Sequence, residues 1–323
     1  MADQSLNGKV IVITGASSGF GKGAALKFAE AGASVVLAAR REELLEELER
    51  DCEKLGGRAK AVPTDVSREA DMEQLARTAI TEFGRIDVWV NNAGAGALGR
   101  FEEVPISDHV QVIETDLIGT IYGAYFALKQ FRQQDSGILI NISSVIGKVP
   151  APYFASYAAA KHGIVGLSAS LRQELRENKI ENIRVCTVMP TSMDTPFFEH
   201  AANYSGHQSV PIPPVYEAEE TIKVIVRLAT HPEDEVSTGT SGKVATFAHN
   251  IAPGLTEKLM GHQTHKALME DAPPAPENSG KRRRTGVKRH GRERRHSAKV
   301  RLIAEQDSTG SPAPFLIQSA AAK

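Results

Sequence analysis
Only two cysteines, Cys52 and Cys186, occur in the 323 residues, far apart and without a partner at metal-ligand or redox spacing. No disulfide framework or dithiol chemistry follows. Cys52 reads as a small apolar side chain in a helix and Cys186 as one in a strand. No paired Cys/His cluster is present, so no metal is expected. No run of eighteen apolar residues exists, which argues against a transmembrane segment. Residues 1–7 are polar and carry no signal-peptide pattern. The whole chain, 41% hydrophobic and 24% charged, fits a globular protein with a full-sized core and a cytoplasmic setting.

A formal net charge of −1 conceals an uneven distribution. Residues 281–301 carry eleven Lys/Arg and one acid, Glu293. A Pro-rich stretch, Asp271-Ala272-Pro273-Pro274-Ala275-Pro276-Glu277-Asn278, separates this run from the rest, so 263–280 reads as a linker and 281–323 as a basic tail. Such a tail buries too little apolar surface to offset its ordering entropy, which predicts disorder. It could serve as an electrostatic arm for nucleic acid or an anionic membrane. Without interleaved aromatics for base stacking, a solvated extension is the better reading.

Before the linker, strand-like and helix-like segments alternate. Strands are expected near residues 9–14, 34–39, 59–63, 86–91, 137–143, 183–189 and 242–247. Alternation of this kind implies an α/β domain over 1–262: a Rossmann-like, doubly wound parallel sheet of about seven strands with helices on both faces. Ligands in such folds bind at the carboxyl ends of the strands.

The first strand runs into Gly15-Ala16-Ser17-Ser18-Gly19-Phe20-Gly21 and then a helix pattern. Free backbone N–H groups and the helix dipole make such a turn an anion site. The spacing is Gly-x-x-x-Gly-x-Gly rather than the common Gly-x-Gly-x-x-Gly. Tyr157 and Lys161 lie four apart in Tyr157-Ala158-Ala159-Ala160-Lys161, on one face of a helix. An ammonium beside a phenol favours the phenolate and is expected to pull its pKa down toward neutrality, as acid–base work on an alcohol or ketone requires. Ser144 ends the apolar run Ile138-Leu139-Ile140-Asn141-Ile142-Ser143-Ser144, at the mouth of the sheet. A second Tyr-x-x-x-Lys, Tyr125 to Lys129, has no strand-end serine before it and reads as a helix surface.

The set Thr14-Gly15-Ala16-Ser17-Ser18-Gly19-Phe20-Gly21, Asp65, Asn91-Asn92-Ala93-Gly94, Ser144, Tyr157 and Lys161 resembles the short-chain dehydrogenase/reductase family, over about residues 5–255. The resemblance implies that Tyr157 exchanges the proton with the substrate oxygen. Lys161 would lower the Tyr157 pKa and hold the nicotinamide ribose, and Ser144 would orient the carbonyl. The turn Gly15, Ser17, Ser18, Gly19, Phe20 and Gly21 would hold the cofactor phosphates. Asp65, with Val66 beside it, would receive the adenine amino group, although Asp65 also reads as an N-cap for a helix starting near Ser67. Asn92, Ala93 and Gly94 would support the adenosine side, and Pro190 and Thr195 would contact the carboxamide and phosphates.

Two positions depart from the family pattern. Asp116 stands where the family usually has the asparagine that holds a water on the lysine. Aspartate keeps an acceptor, loses the amide donors and could bring a charge close to Lys161. Thr191 replaces a common glycine after Pro190. At the end of the second strand stand Ala39 and Arg40 with no carboxylate, which favours NADP(H), with NAD(H) as the alternative.

Residues 192–216 lack periodicity and include Phe197, Phe198, Tyr204, Pro211, Pro213 and Pro214. The family's corresponding stretch covers the substrate, and with Ala95, Ala97, Val149 and Tyr153 it suggests an apolar pocket. Ala159, Gly163, Gly166 and Ala169 on one helix, and Gly119, Gly123 and Ala127 on another, suit close helix pairing between subunits, so a homodimer or homotetramer is expected. The expected activity is NADP(H)-dependent interconversion of a secondary alcohol and a ketone or aldehyde. The competing readings are a dinucleotide-binding regulatory protein and a basic-tailed nucleic-acid or membrane adaptor.

Overall fold
The computed structural model describes residues 6–280. The basic run and the rest of the expected tail lie outside the described residues. Along the chain the elements are β1 (Val10–Thr14), α1 (Gly19–Glu30), β2 (Ser34–Ala39), α2 (Glu42–Lys54), β3 (Arg58–Pro63), α3 (Glu69–Phe83), β4 (Val88–Asn91), β5 (Ala97–Leu98), α4 (Ile106–Ile113) and α5 (Gly119–Gln134). There follow β6 (Gly137–Ile142), α6 (Ala155–Glu177), β7 (Ile183–Pro190), β8 (Met193–Asp194), α7 (Phe197–His200), β9 (Ala202–Asn203), β10 (Tyr216–Glu217), α8 (Ala218–Leu228), β11 (Glu235–Thr238), α9 (Thr240–Ile251) and α10 (Pro253–His265).

Seven of the strands form one parallel sheet in the order β11-β7-β6-β4-β1-β2-β3. Side chains alternate across each strand. Ile11 and Ile13 therefore join Val35, Leu37, Val90 and Val188 on one face, packed with Phe28 of α1 and Ile225 of α8. Val10 and Val12 join Val36, Trp89 and Leu139 on the other, against Met72 of α3 and Phe131 of α5. Burial on both faces explains why the strands read as continuous apolar runs. Cys52 and Cys186 are free and buried in α2 and β7.

Six strands fall where the sequence places them, but the seventh does not. Its expected segment, 242–247, lies in α9, and the strand is β11, at Glu235–Thr238. Gly239, at φ +80, breaks the chain between them. Val244, Phe247 and Ile251 then follow at helical spacing and stay exposed, which is why their apolar pattern misleads.

Two other stretches are more ordered than the sequence suggests. The segment 263–280, read as a linker, packs back onto the domain. Leu268 is 2% and Ala272 5% exposed, and backbone bridges join Asn203 to Asn278 and His207 to Pro274. Within 192–216, β8 pairs with β10 and β9 with β5, so much of that loop is anchored.

At the amino ends of the strands, Asp87 is 6% exposed. It accepts from the Val10 backbone N–H at 2.9 Å, from Lys9 at 3.2 Å and from the Arg85 fork at 2.9 and 2.7 Å. Asp87→Ala leaves the buried Val10 N–H without its acceptor and should cost about 2–3 kcal/mol. A urea midpoint unchanged from the parent would show that water takes over that role.

Candidate active site
The polar residues gather at the carboxyl ends of β1, β4, β6 and β7, where the sheet order reverses. The turn after β1 is shaped by close approach. Gly15 has φ +65, and a Cβ there would lie 2.7 Å from Ala93 Cα. A Cβ on Gly21 would collide with the Gly15 carbonyl. Asn92 Nδ2 donates to the Thr14 carbonyl at 3.0 Å and the Gly15 carbonyl at 3.2 Å. Thr14 Oγ1 in turn accepts from the Asn92 and Ala93 backbone N–H groups at 3.0 and 3.1 Å. Asn92 and Ala93 thus lock the turn.

Ser18 caps α1 in an extended conformation, and no acidic side chain occupies the first turn of this helix. Gly19 (φ +54) lies across from Thr195, 3.9 Å from a built Cβ to the threonine Cβ. Phe20 packs against the core beneath. A glycine cradle at a helix N-terminus free of acidic side chains has the chemistry to hold a pyrophosphate. Arg40 is exposed at the end of β2. Sequence reasoning missed Arg41, whose Nη2 donates to Ser17 Oγ at 3.0 Å and so reaches the turn itself. The doubled arginine was the available signal. Asp65 Oδ1 accepts from the Ser67 N–H at 3.1 Å and hydroxyl at 2.7 Å. That bond closes a local turn; the helix cap falls on Arg68, so Asp65 is not the N-cap. Val66 is buried against Gly119.

Deeper in, the segment Glu114–Ile118 between α4 and α5 forms one π-helical turn. It carries Asp116, fully buried, whose Oδ1 accepts from the Ala95 N–H at 2.7 Å. Asp116 Oδ2 lies 3.3 Å from Lys161 Nζ, so the charge anticipated beside the lysine is a direct ion pair. Lys161 is 4% exposed, donates to the Ile142 carbonyl at 3.1 Å, and holds its ammonium 5.3 Å from the Tyr157 ring centre. Gly94 borders the pair: a Cβ there would lie 3.6 Å from Asp116 Oδ2 and 3.8 Å from Lys161 Nζ. Ser144 Oγ accepts from the Ile146 N–H at 3.2 Å, reaches the Pro190 carbonyl at 3.4 Å, and is hydrogen-bonded with Tyr157.

The start of α6, which aims Tyr157, is fixed by a histidine that sequence reasoning did not single out. His109 Nε2 lies 2.9 Å from the Phe101 carbonyl, which can only accept, so Nδ1 is free to accept from Ser156 Oγ at 3.0 Å. Thr191, the second departure, fits because Gly239 and Gly242 lie against it; a Cβ on Gly242 would sit 3.1 Å from Thr191 Cβ.

The Tyr157 phenol does not titrate in the direction the sequence suggests. Burial is the largest influence and raises its pKa; Lys161 pulls it down, Asp116 pushes it up, and the Ser144 bond pulls it down, leaving it above the ordinary value. Burial works against the Lys161 ammonium, but Asp116 and Tyr157 outweigh it and hold the lysine charged above its usual range. The sequence offers both the ammonium and the Asp116 carboxylate, but not the burial that outweighs the lysine at the phenol.

Around the phenol the walls are apolar. Phe197 sits 5.2 Å from the Tyr157 ring centre and fills the space left by Gly96. Ile146, Phe198, Val210, Ile212, Leu268 and Met269 belong to the same cluster. Tyr153, at φ +68, donates or accepts at 2.6 Å with His265 Nδ1, tying this wall to α10.

A polar trio at one end of an apolar chamber, beside a glycine cradle, is an arrangement for moving a proton next to a bound dinucleotide. Comparison with known proteins agrees. Residues 9–204 match the short chain dehydrogenase family model, and the chain belongs to the short-chain dehydrogenase/reductase family of oxidoreductases. An uncharacterized oxidoreductase of Bacillus subtilis, YxnA, is 35% identical over 84% of this chain and 77% of its own. The 3beta-hydroxysteroid dehydrogenase 1 of Eggerthella lenta is 34% identical over 73% of this chain and 92% of its own. A crystal structure of a family member from Burkholderia phymatum in complex with NAD superimposes with a TM-score of 0.70 at 26% identity, covering 77% of this chain and 95% of that one. Among the described residues no His/Cys/Asp/Glu group could hold a metal, and no helix is long and apolar enough to cross a membrane.

Asp116→Asn removes the negative charge that raises Tyr157 while leaving an isosteric acceptor for the Ala95 N–H. Tyr157 should then ionise at lower pH, read as the tyrosinate absorbance lost between the variant and its Tyr157→Phe partner. An upward shift instead would show that Lys161 keeps its charge only through Asp116.

Proposed function
We propose that this oxidoreductase interconverts a secondary alcohol and a ketone or aldehyde with NADP(H), on a bulky apolar carbon skeleton. The observation that carries the reading is the convergence of Ser144, Tyr157 and Lys161 at the mouth of the sheet, with Phe197, Phe198, Ile212 and Met269 walling the space beside them. The cofactor, when bound, supplies or takes the hydride. Ser144 orients the substrate oxygen, and Tyr157 gives its proton to that oxygen in reduction and recovers it in oxidation. Lys161 keeps a positive charge beside the phenol. With Tyr157 raised above its ordinary value, the protonated, reducing form persists to higher pH. Gly15, Ser17, Ser18, Gly19, Phe20 and Gly21 cradle the phosphates; Asp65 and Val66 take the adenine; Asn92, Ala93 and Gly94 back the adenosine side; Pro190 and Thr195 close the nicotinamide side.

The preference for the 2′-phosphorylated cofactor rests on Arg40 and Arg41, with no acid at the end of β2. The solved relative holds NAD, so this preference belongs to the present chain's own arginines. An apolar skeleton accords with the steroid named for the Eggerthella lenta relative. Two buried free thiols fit a reducing, cytoplasmic setting. Gly119, Gly123 and Ala127 pack inside this chain and not between subunits; Ile121 and Tyr125 on α5 and Gly166 on α6 are exposed and offer the face for a homodimer or homotetramer.

Tyr157→Phe removes the transferable proton and keeps the ring, so turnover on a verified ketone should fall by about 10²-fold or more with NADPH binding retained. Near-normal turnover would exclude Tyr157 as the acid–base group. Arg40→Asp and Arg41→Asp should each weaken NADPH binding by about 1.5–3 kcal/mol and NADH much less, followed by fluorescence titration of both cofactors. Equal losses for the two would mean that the arginines support only the local fold.

A further inference from the structure
The hairpin of α9 and α10 has an outer surface that the reaction does not use. Val244, Phe247 and Ile251 line one stripe of α9, and Leu255 and Leu259 continue it after the break at Ala252. These five side chains are 61–69% exposed. Adjacent large apolar side chains left this open mark a docking surface rather than ordinary scatter.

The opposite side of the hairpin is committed to the domain. Gly242 lies against Val145 and Thr191, and the turn after α10 buries Leu268 in the cluster that contains Tyr157. The face therefore cannot turn inward to cover itself. Its charges are of one prevailing sign: Lys243, Lys258 and Lys266 against Glu257 over residues 240–266, with Lys243 and Lys258 each preceding a stripe residue. Further along the chain, residues 281–301 add eleven Lys/Arg and one acid.

We propose that the outer face of α9 and α10 docks on an anionic lipid surface. Apolar side chains entering the headgroup boundary, flanked by lysines, make an interfacial helix, and a following basic run supplies the second signal that stable attachment needs. Charge decides between lipid and a second copy of this face. A twofold pairing would set a face carrying three lysines and one glutamate against an identical one, whereas anionic headgroups neutralise it. The consequence for a lipophilic substrate is direct, because the same hairpin continues into Leu268 and Met269 beside Tyr157. The proposal does not depend on the reaction.

The test is sedimentation of the full chain with vesicles of phosphatidylcholine, with and without phosphatidylserine, at low and physiological salt. The chain should partition onto the phosphatidylserine vesicles, and less so without that lipid or with added salt. Phe247→Glu/Leu255→Glu should lower the partition at least about tenfold, since it places carboxylates at the apolar boundary. Circular dichroism of the variant checks its fold; where it fails to fold, Val244→Ser/Leu259→Ser carries the same expectation. An unchanged partition in the variants would assign binding to the basic run alone and overturn the proposal. So would absence of vesicle binding; a fall in solution mass in the variants would then assign the face to a second copy.

Discussion

The buried ammonium of Lys161 is the constraint on which the site depends. A cation 4% exposed survives only where other groups replace its water. Here they come from three directions: the Ile142 carbonyl at the end of β6, the Asp116 carboxylate from the π-helical turn, and the face of the Tyr157 ring. Satisfying the charge therefore fixes where β6 ends, where the turn before α5 bulges and how α6 is rotated. The positions of Tyr157 and Ser144 follow from the same placement. An asparagine at 116 would solvate the ammonium without countering it; the aspartate counters it, and Tyr157 loses part of the electrostatic help that the lysine offers.

The sheet beneath is pinned by a second buried polar chain. Trp89 Nε1 donates to Asn91 Oδ1 at 2.8 Å, Asn91 Nδ2 to Asn141 Oδ1 at 2.9 Å, and Asn141 Nδ2 to Ser168 Oγ at 2.9 Å. The Ser168 hydroxyl closes on the Ile164 carbonyl at 2.8 Å. This chain runs from β4 through β6 into α6. Because Asn91, Asn141 and Ser168 each both give and receive, sliding α6 along the sheet would strand a buried donor or acceptor. The helix that carries Tyr157 and Lys161 is thereby held in register at Ser168, two turns beyond the lysine.

Most of the fold was readable because strands buried on both faces leave long apolar runs, and glycines mark the close approaches. Val10 to Thr14 and the turn after it are the clearest case. What escaped reading depended on contacts between distant segments. Val244 to Phe247 resembles a core strand, yet Gly239 starts a helix there and leaves its apolar side outside. The prolines of 273–276 suggest a linker, while Leu268 and Ala272 bury themselves and Asn278 pairs with Asn203. For the site, the spacing of Tyr157 and Lys161 was legible, but the sign of the phenol's shift was not. That sign turns on desolvation and on Asp116, forty-five positions before the lysine in the sequence. Arg41 was hidden for a simpler reason: two adjacent arginines cannot be told apart until the chain shows which one turns toward Ser17.

The apolar chamber and the polar trio impose opposite demands on the same few side chains. Phe197, against the Tyr157 ring, takes the place of water there, which strengthens the electrostatics around the phenol. The same exclusion raises the Tyr157 pKa by penalising the phenolate. A more open chamber would ease ionisation but hydrate the ammonium and weaken its hold on the phenol. The segment that continues α10 reconciles these demands structurally. Leu268 and Ala272 anchor it while its backbone bonds to Asn203 and to Gln208, so the wall is built from chain distant in sequence and is not part of the sheet. Its composition can therefore vary without disturbing β6 and α6, which hold Ser144, Tyr157 and Lys161.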